Sequence, residues 1–176
     1  AGFTAAVDVD LGGQHRIWSL ARRGGGGSVG LYPTGTPGQA KALFFWRGSA
    51  DVDGRAPRAA QLASLRAGFA GGRWVTDALL RQLDGATDLY FDRVAQVRLP
   101  RWSRGRVILL GDAACCASPL GGNGTGTALV GAWVLGHALV DAGAGAVDVA
   151  AAAYERVVRP LADRGQAFGE KGASSL

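Results

Sequence analysis

One stretch constrains this chain more than any other: RVILLGDAACCASPLGGNGTGTALVGAWVLGHALV, Arg106 to Val140. A short apolar run ends in Gly-Asp, a turn dense in glycine and proline follows, and an apolar segment with helical spacing closes the unit. RVILLGD predicts a strand buried on both faces, as in a parallel sheet. TALVGAWVLGHALVDAG predicts a helix that stops at a glycine. It is roughly four turns long, short of the ~20 residues that span a bilayer, and the preceding proline and glycines interrupt the apolar stretch, so no membrane crossing is expected.

Strand, glycine turn and helix in that order have a chemical consequence. The first-turn amides of a helix lack internal partners and sit at the positive end of its macrodipole, so they face a ligand. Gly121, Gly122, Gly124 and Gly126 would let a flat or bulky group approach that backbone closely. Asp112, at the carboxyl end of the strand, occupies the usual ligand position of open α/β sheets; its carboxylate accepts hydrogen bonds from sugar-type hydroxyls and repels phosphate. On spacing alone, a tight turn with Asp112 capping nearby amides remains the alternative.

The first half has another texture. HRIWSL (15–20), SVGLY (28–32) and KALFFWR (41–47) predict antiparallel strands, with turns at GGGG (24–27), expected as a mobile hairpin loop, and PTGTPG (33–38). PRAAQLASLRAGF (57–69) and WVTDALLRQLD (74–84) carry apolar residues at three- and four-residue spacing and predict two short amphipathic helices. DLYFDRVAQVRL (88–99) alternates imperfectly, as a long strand with a bulge would. In the last segment Asp148 is the expected N-cap and Pro160 should kink or break the helix. The expected fold is mixed α/β (α+β): an antiparallel sheet with two helices over residues 1–100, then a strand, a glycine-rich loop and helices over 101–176.

Composition narrows the function. Nineteen Lys+Arg against 14 Asp+Glu give a formal charge of +5, but only Lys41 and Lys171 are lysines and the arginines are scattered, so a solvated basic surface rather than a nucleic-acid footprint is expected. Cys115 and Cys116 are adjacent and lack companions at metal-ligand spacing, which argues against a zinc site or a disulfide framework; reduced thiols and a cytoplasmic setting are expected. They read as small packing residues, with a thiol-redox pair as the alternative. The opening AGFTAAVDVD has no methionine and no signal-peptide pattern, so the chain reads as the carboxyl-terminal part of a longer frame. His15 reads as a surface or sheet residue and His137 as a core residue.

WSRGRVILLGDAACCASPLGGNGTGTALVGAWVLGHAL resembles the second flavin-contacting motif of the p-hydroxybenzoate hydroxylase-like FAD-dependent monooxygenases, and most closely the branch containing the tetracycline-inactivating monooxygenases. The resemblance extends from about Arg66 to Phe168, and it implies that the antiparallel sheet of 1–100 is part of a substrate-binding domain and that 101–176 is the carboxyl-terminal part of a Rossmann-like FAD-binding domain. It implies that Asp112 bonds the ribityl chain of FAD, that Pro119 lies by the isoalloxazine ring, and that Gly122, Asn123 and Gly124 present backbone to its pyrimidine edge, with Gly111, Gly121 and Thr125 completing the cofactor site. It further implies reduction of FAD by NADPH or NADH and addition of O2 to give a flavin C4a-hydroperoxide, which hydroxylates an aromatic or polyketide-like small molecule. No catalytic side chain and no metal are expected, since the cofactor carries the chemistry.

Phe44 and Trp46, with Pro119, are the candidate substrate contacts. Trp18 and Phe45 are further aromatic candidates, although alternation sends Phe45 to the opposite sheet face from Phe44 and Trp46. The chain departs from the family in lacking its opening strand, GxGxxG turn and helix: Gly24–Gly27 is not set in a βαβ pattern. The alternative function is a non-catalytic remnant or interaction module without flavin.

Overall fold

The computed structural model describes residues 1–20, 27–48, 51–143, 145–174 and 176. The chain divides between Arg93 and Val94 into a first unit, Ala1–Arg93 with Leu176, and a second from Val94 onward. Residues 94–100, expected with the sheet, thus fall in the second unit.

In the first unit, β1 (Gly2–Ala6), β2 (Arg16–Leu20), β3 (Gly27–Pro33) and β4 (Gln39–Trp46) form an antiparallel sheet in the order β1-β4-β3-β2. The three expected strands are there, joined by β1, which the sequence pattern did not mark. PTGTPG makes the β3–β4 connection, where Gly35 and Gly38 adopt positive φ. Of the GGGG tract, Gly24–Gly26 lie outside the described residues, and Gly27 opens β3, a strand rather than the helix of a phosphate-binding turn. Register assigns the faces: Phe44 pairs with Val29 and Ala42 with both Leu31 and Phe3, so these point one way, toward the core. Helices α1 (Arg58–Phe69) and α2 (Thr76–Gln82) supply Leu62, Leu65, Phe69 and Leu79 to the same core, and a 3₁₀ turn adds Leu83.

This placement corrects one substrate-contact expectation, Phe44. Phe44 is fully buried, stacked 6.1 Å from Phe3 and edge-on to Phe69 at 5.1 Å. Trp46, half-buried, packs edge-on against Phe69 and Phe91. The residues facing the opposite, open side of the sheet are Phe45, Leu43, Ser28, Gly30, Tyr32 and Ile17, which pair across β4, β3 and β2.

The expected strand over 88–99 reduces to a single bridge, Gly2 with Tyr90. Beyond Arg93 the segment belongs to the second unit and finds side chains rather than strands. The Val97 carbonyl accepts from Gln166 and the Leu99 carbonyl from Arg159, while the Val97 N–H donates to the Cys116 carbonyl. An extended chain can satisfy its backbone this way without a ladder.

The second unit begins with a short ribbon, β5 (Ser103–Arg104) and β6 (Val107–Ile108), turning at Gly105. RVILL is therefore not a strand buried on both faces: β6 is two residues long, its only pairing among the described residues is with β5, and Val107 and Leu110 are exposed. Then come a helical turn α3 (Asp112–Cys115), a 3₁₀ turn (Pro119–Gly121), α4 (Gly124–Ala142) and α5 (Val147–Ser174). α5 starts one residue before Asp148, which lies in its first turn instead of capping it, and the helix continues through Pro160 without a break. Trp102, Ala114, Cys115, Tyr154, Val158 and Ala162 form this unit's core. Gly131 lets α4 come close to Tyr154, since a Cβ there would lie 3.2 Å from Leu110 Cδ1 and 3.5 Å from the tyrosine ring. No helix among the described residues is long and apolar enough to cross a membrane.

Candidate functional site

Gly111 sets the geometry of the turn. Its φ of 60° and ψ of −136° are accessible to glycine and strained for other residues, and a Cβ there would lie 3.3 Å from the Ala128 methyl on α4. The chain can thus reverse beneath α4 and start α3 at Asp112. This corrects the strand-end placement of that carboxylate: Asp112 opens a helical turn. The residue is exposed, and its carboxylate makes no hydrogen bond or ion pair with the described residues, so it does not cap the turn. Its Oδ1 lies 3.8 Å from where a Gly124 Cβ would stand, which places the carboxylate beside the first residue of α4.

That helix start is open. Asn123 is the N-cap residue but makes no side-chain cap bond, and the first-turn amides of α4 have no intrahelical partner. Gly122 is left-handed, with φ 67°, and no atom lies within 4 Å of where its Cβ would be. Pro119, Gly122, Asn123 and Thr125 border this opening, while Gly121 is buried with its back to α5: a Cβ on it would lie 3.0 Å from the Gly165 carbonyl oxygen. The structure therefore brings Gly111 and Asp112 against the first residues of α4, with Gly121 packed on α5 behind them, while Pro119, Gly122, Asn123 and Thr125 are exposed around the helix start.

One residue in the turn is strained. Ser118, next to Pro119, has φ 71° and ψ 160°, a region almost reserved for glycine, which costs about 1–3 kcal/mol and persists only where the surroundings enforce it. Ser118 is buried.

The neighbouring thiols pack. Cys115 is buried, its Sγ 3.6 Å from the Gly111 carbonyl, and burial pushes its pKa up, with Asp112 adding to the shift; a raised thiol is less nucleophilic at neutral pH. Both cysteines are free. Among the described residues no cluster of His, Cys, Asp or Glu is arranged to hold a metal ion. His137 is exposed, its ring 4.3 Å from that of Trp133, rather than in the core as its apolar helix suggested; His15 is exposed against Tyr32. An open groove of about 1130 Å³ runs between Pro100–Gly105 and α5, and none of the turn residues lines it.

The family model described as an FAD binding domain matches residues 3–165. The chain belongs to that family. Among curated relatives of this FAD binding domain, a flavin-dependent monooxygenase from an unknown prokaryotic organism is 39% identical over 132 residues, covering 74% of this chain and 34% of the relative. A flavin-dependent monooxygenase of Legionella longbeachae serogroup 1 (strain NSW150) is 33% identical over 141 residues, covering 80% and 36%. Among solved structures, the tetracycline destructase Tet(55) superposes with a TM-score of 0.82 at 28% identity, over 99% of this chain and 45% of that one. The chain thus spans about a third of the length of the curated relatives it matches.

The residues present fit a flavin. An unpartnered carboxylate suits hydroxyl donors, an uncapped helix start suits a carbonyl edge that gains negative charge, and the space at Gly122 admits a planar ring. What the sequence did not single out is the support behind the turn, Gln96, Gln166, Gly165 and Gly169. The spacing of Gly165, Gly169 and Gly172 in RGQAFGEKG was the available signal.

Proposed function

We propose that this chain supplies the flavin-facing part of an FAD-dependent monooxygenase that uses NADPH or NADH and O2 to hydroxylate an aromatic or polyketide-like small molecule in the cytoplasm. The observation that carries the proposal is the Asp112 carboxylate, free of any partner among the described residues, beside the uncapped start of α4. FAD supplies the redox chemistry: O2, substrate, NAD(P)H and a proton become hydroxylated product, NAD(P)⁺ and water.

The protein's own part is binding and orientation. Asp112 accepts hydrogen bonds from the ribityl hydroxyls. The Gly122–Gly124 backbone and the α4 N-terminus stabilise negative charge at the flavin pyrimidine edge without reorganising. Pro119, exposed and lacking an N–H, offers a rigid apolar surface to the ring and the substrate. Tet(55) and Tet(51), the structural neighbours, are tetracycline destructases, which favours a polycyclic, oxygenated substrate.

The test is FAD retention. The chain is titrated with FAD and followed by flavin absorbance and fluorescence, with Asp112→Ala beside it. Losing one hydrogen-bonded carboxylate should weaken binding by about 1.5–3 kcal/mol, roughly ten- to a hundredfold. Equal affinity in the two proteins refutes the placement of Asp112, and absence of binding in both favours the remnant alternative.

A further inference from the structure

The turn that faces the proposed ligand holds a strained serine and a left-handed glycine in place. The force that holds it comes from α5. A Cβ at Gly165 would stand 2.6 Å from both Oδ1 and Nδ2 of Asn123, and one at Gly169 would stand 2.5 Å from the Ala117 carbonyl oxygen and 3.0 Å from Ser118 Oγ. A side chain at Gly169 must push the turn away, because it meets the Ala117 backbone carbonyl at a distance real Cβ atoms do not adopt, whereas at Gly165 it meets only the end of the exposed Asn123 side chain, which can swing aside. The two glycines are one helical turn apart, so they present a single flat face to the segment from Ala117 to Asn123.

Between them Gln166 acts as a clamp. It is 3% exposed, and its Nε2 donates to the Val97 carbonyl at 2.7 Å and, more weakly, to the Cys116 carbonyl at 3.4 Å. Its backbone carbonyl accepts from Gln96 Nε2 at 2.7 Å, and the same nitrogen donates to the Ala117 carbonyl at 3.1 Å. The Val97 N–H closes the circuit on the Cys116 carbonyl at 3.1 Å. Three chain segments, 96–97, 116–117 and α5, are thus tied by one polar network of five bonds, three of which end on the Cys116 and Ala117 carbonyls just upstream of Ser118. Satisfied networks of this kind rigidify what they join.

We infer that α5 is the positioning element of the flavin-facing turn: Gln166 pins its upstream end and the bare backbone at Gly165 and Gly169 sets its depth, so that Pro119, Gly122 and the start of α4 stand where the ligand needs them. The flavin half of this inference rests on the proposed function; the mechanical half stands on the contacts alone. These are positioning residues, since they act through the turn and touch no ligand.

The decisive variant is Gly169→Ala, whose methyl collides with the Ala117 backbone carbonyl, set against Gly165→Ala, whose methyl meets only the end of the Asn123 side chain. Val158→Ala serves as the control, because Val158 lies on the same helix in the core and is not part of the network. Amide hydrogen exchange of residues 116–124 and FAD affinity are measured on the whole chain, with thermal stability alongside. Gly169→Ala is expected to speed exchange in the turn and weaken FAD binding, each by about tenfold, with Gly165→Ala moving both much less. Gln166→Leu should speed exchange at 116–118 in the same way. Val158→Ala should lower thermal stability and leave turn exchange, relative to the rest of the unit, unchanged.

The inference is overturned if Gly169→Ala and Gln166→Leu alter the turn no more than Val158→Ala does at equal loss of stability. A wild-type chain that binds no FAD defeats the proposed function, and the exchange results then decide the mechanical half unaided.

Discussion

The two units of the chain solve the same problem in opposite ways. The first closes a core: Phe3, Val29, Leu31, Phe44, Leu65, Phe69, Leu79 and Leu83 are all fully buried between one sheet face and two helices. The second leaves much of its apolar surface outside. Along the nineteen residues of α4 the only buried position is Gly131, while Leu129, Trp133 and Val140 are 67%, 69% and 80% exposed. It has a smaller core around Trp102, Tyr154 and Val158, and specific links add to its order: the Gln96–Gln166 network, the tilted Trp102–Tyr154 ring pair with Arg159 over Trp102, and the Glu155 bonds. A packed core fixes a scaffold by burial alone, whereas a candidate binding turn must stay open on one side and be held from the other.

The largest effect that would test this contrast is in the core. Phe44→Ala removes a ring that contacts Phe3 and Phe69, and large-to-small substitutions of this kind cost about 3–5 kcal/mol. Urea denaturation of the variant should show a loss of that size. A loss below about 1 kcal/mol would mean that the core is not the scaffold the contrast requires. It would also reopen Phe44 as a ligand contact.

A smaller effect belongs to the polar links of the second unit. Glu155 accepts a hydrogen bond from the Trp102 N–H at 3.0 Å and pairs with Arg159, which also lies over the Trp102 ring. Burial works to raise its pKa, but the Trp102 N–H and Arg159 outweigh that and leave it lowered. A carboxylate lowered on folding contributes stability that is complete above its ordinary pKa, near ~4.3, and is lost as pH falls through the folded value. Stability of the wild type should therefore drop by about 1 kcal/mol more than that of Glu155→Gln between neutral pH and acid below ~4. Parallel pH profiles for the two proteins would show that the Glu155 links carry no weight.

How much of this is legible in the sequence follows the same division. Strands β2 to β4 and helices α1 and α2 are visible because each buries one face, so burial writes its period into the residue order. β1 escapes notice because GFTAA offers small residues on a short edge strand. The segment 88–99 alternates like a strand, yet its carbonyls are taken by Gln166 and Arg159 from a helix some sixty to seventy residues downstream, a pairing no local pattern encodes. RVILL reads as a buried strand because an uninterrupted run of branched apolar residues ordinarily is one; among the described residues only β5 pairs with it. In the candidate site the motif residues are legible from their resemblance to a family, and the glycines from their density. Gln166 is not, since a glutamine in a charged helix looks like solvent-facing surface until the fold buries it.

The smallest expected effect probes the open side of α4. A helix that is apolar all round normally lies in a core. Here Trp133 is exposed and stacks on His137 one turn along, and Leu129 and Val140 extend the same apolar surface. If that surface makes no contact that matters to folding, Trp133→Gln should change unfolding free energy by no more than about 0.5 kcal/mol, the usual limit for exposed positions. The same change should reduce self-association and dye binding, because exposed apolar area rather than lost packing is being removed. Light scattering and an apolar fluorescent dye, read beside urea denaturation, separate the two. A stability loss of about 2 kcal/mol would place Trp133 among buried rings and make the second unit a closed core like the first.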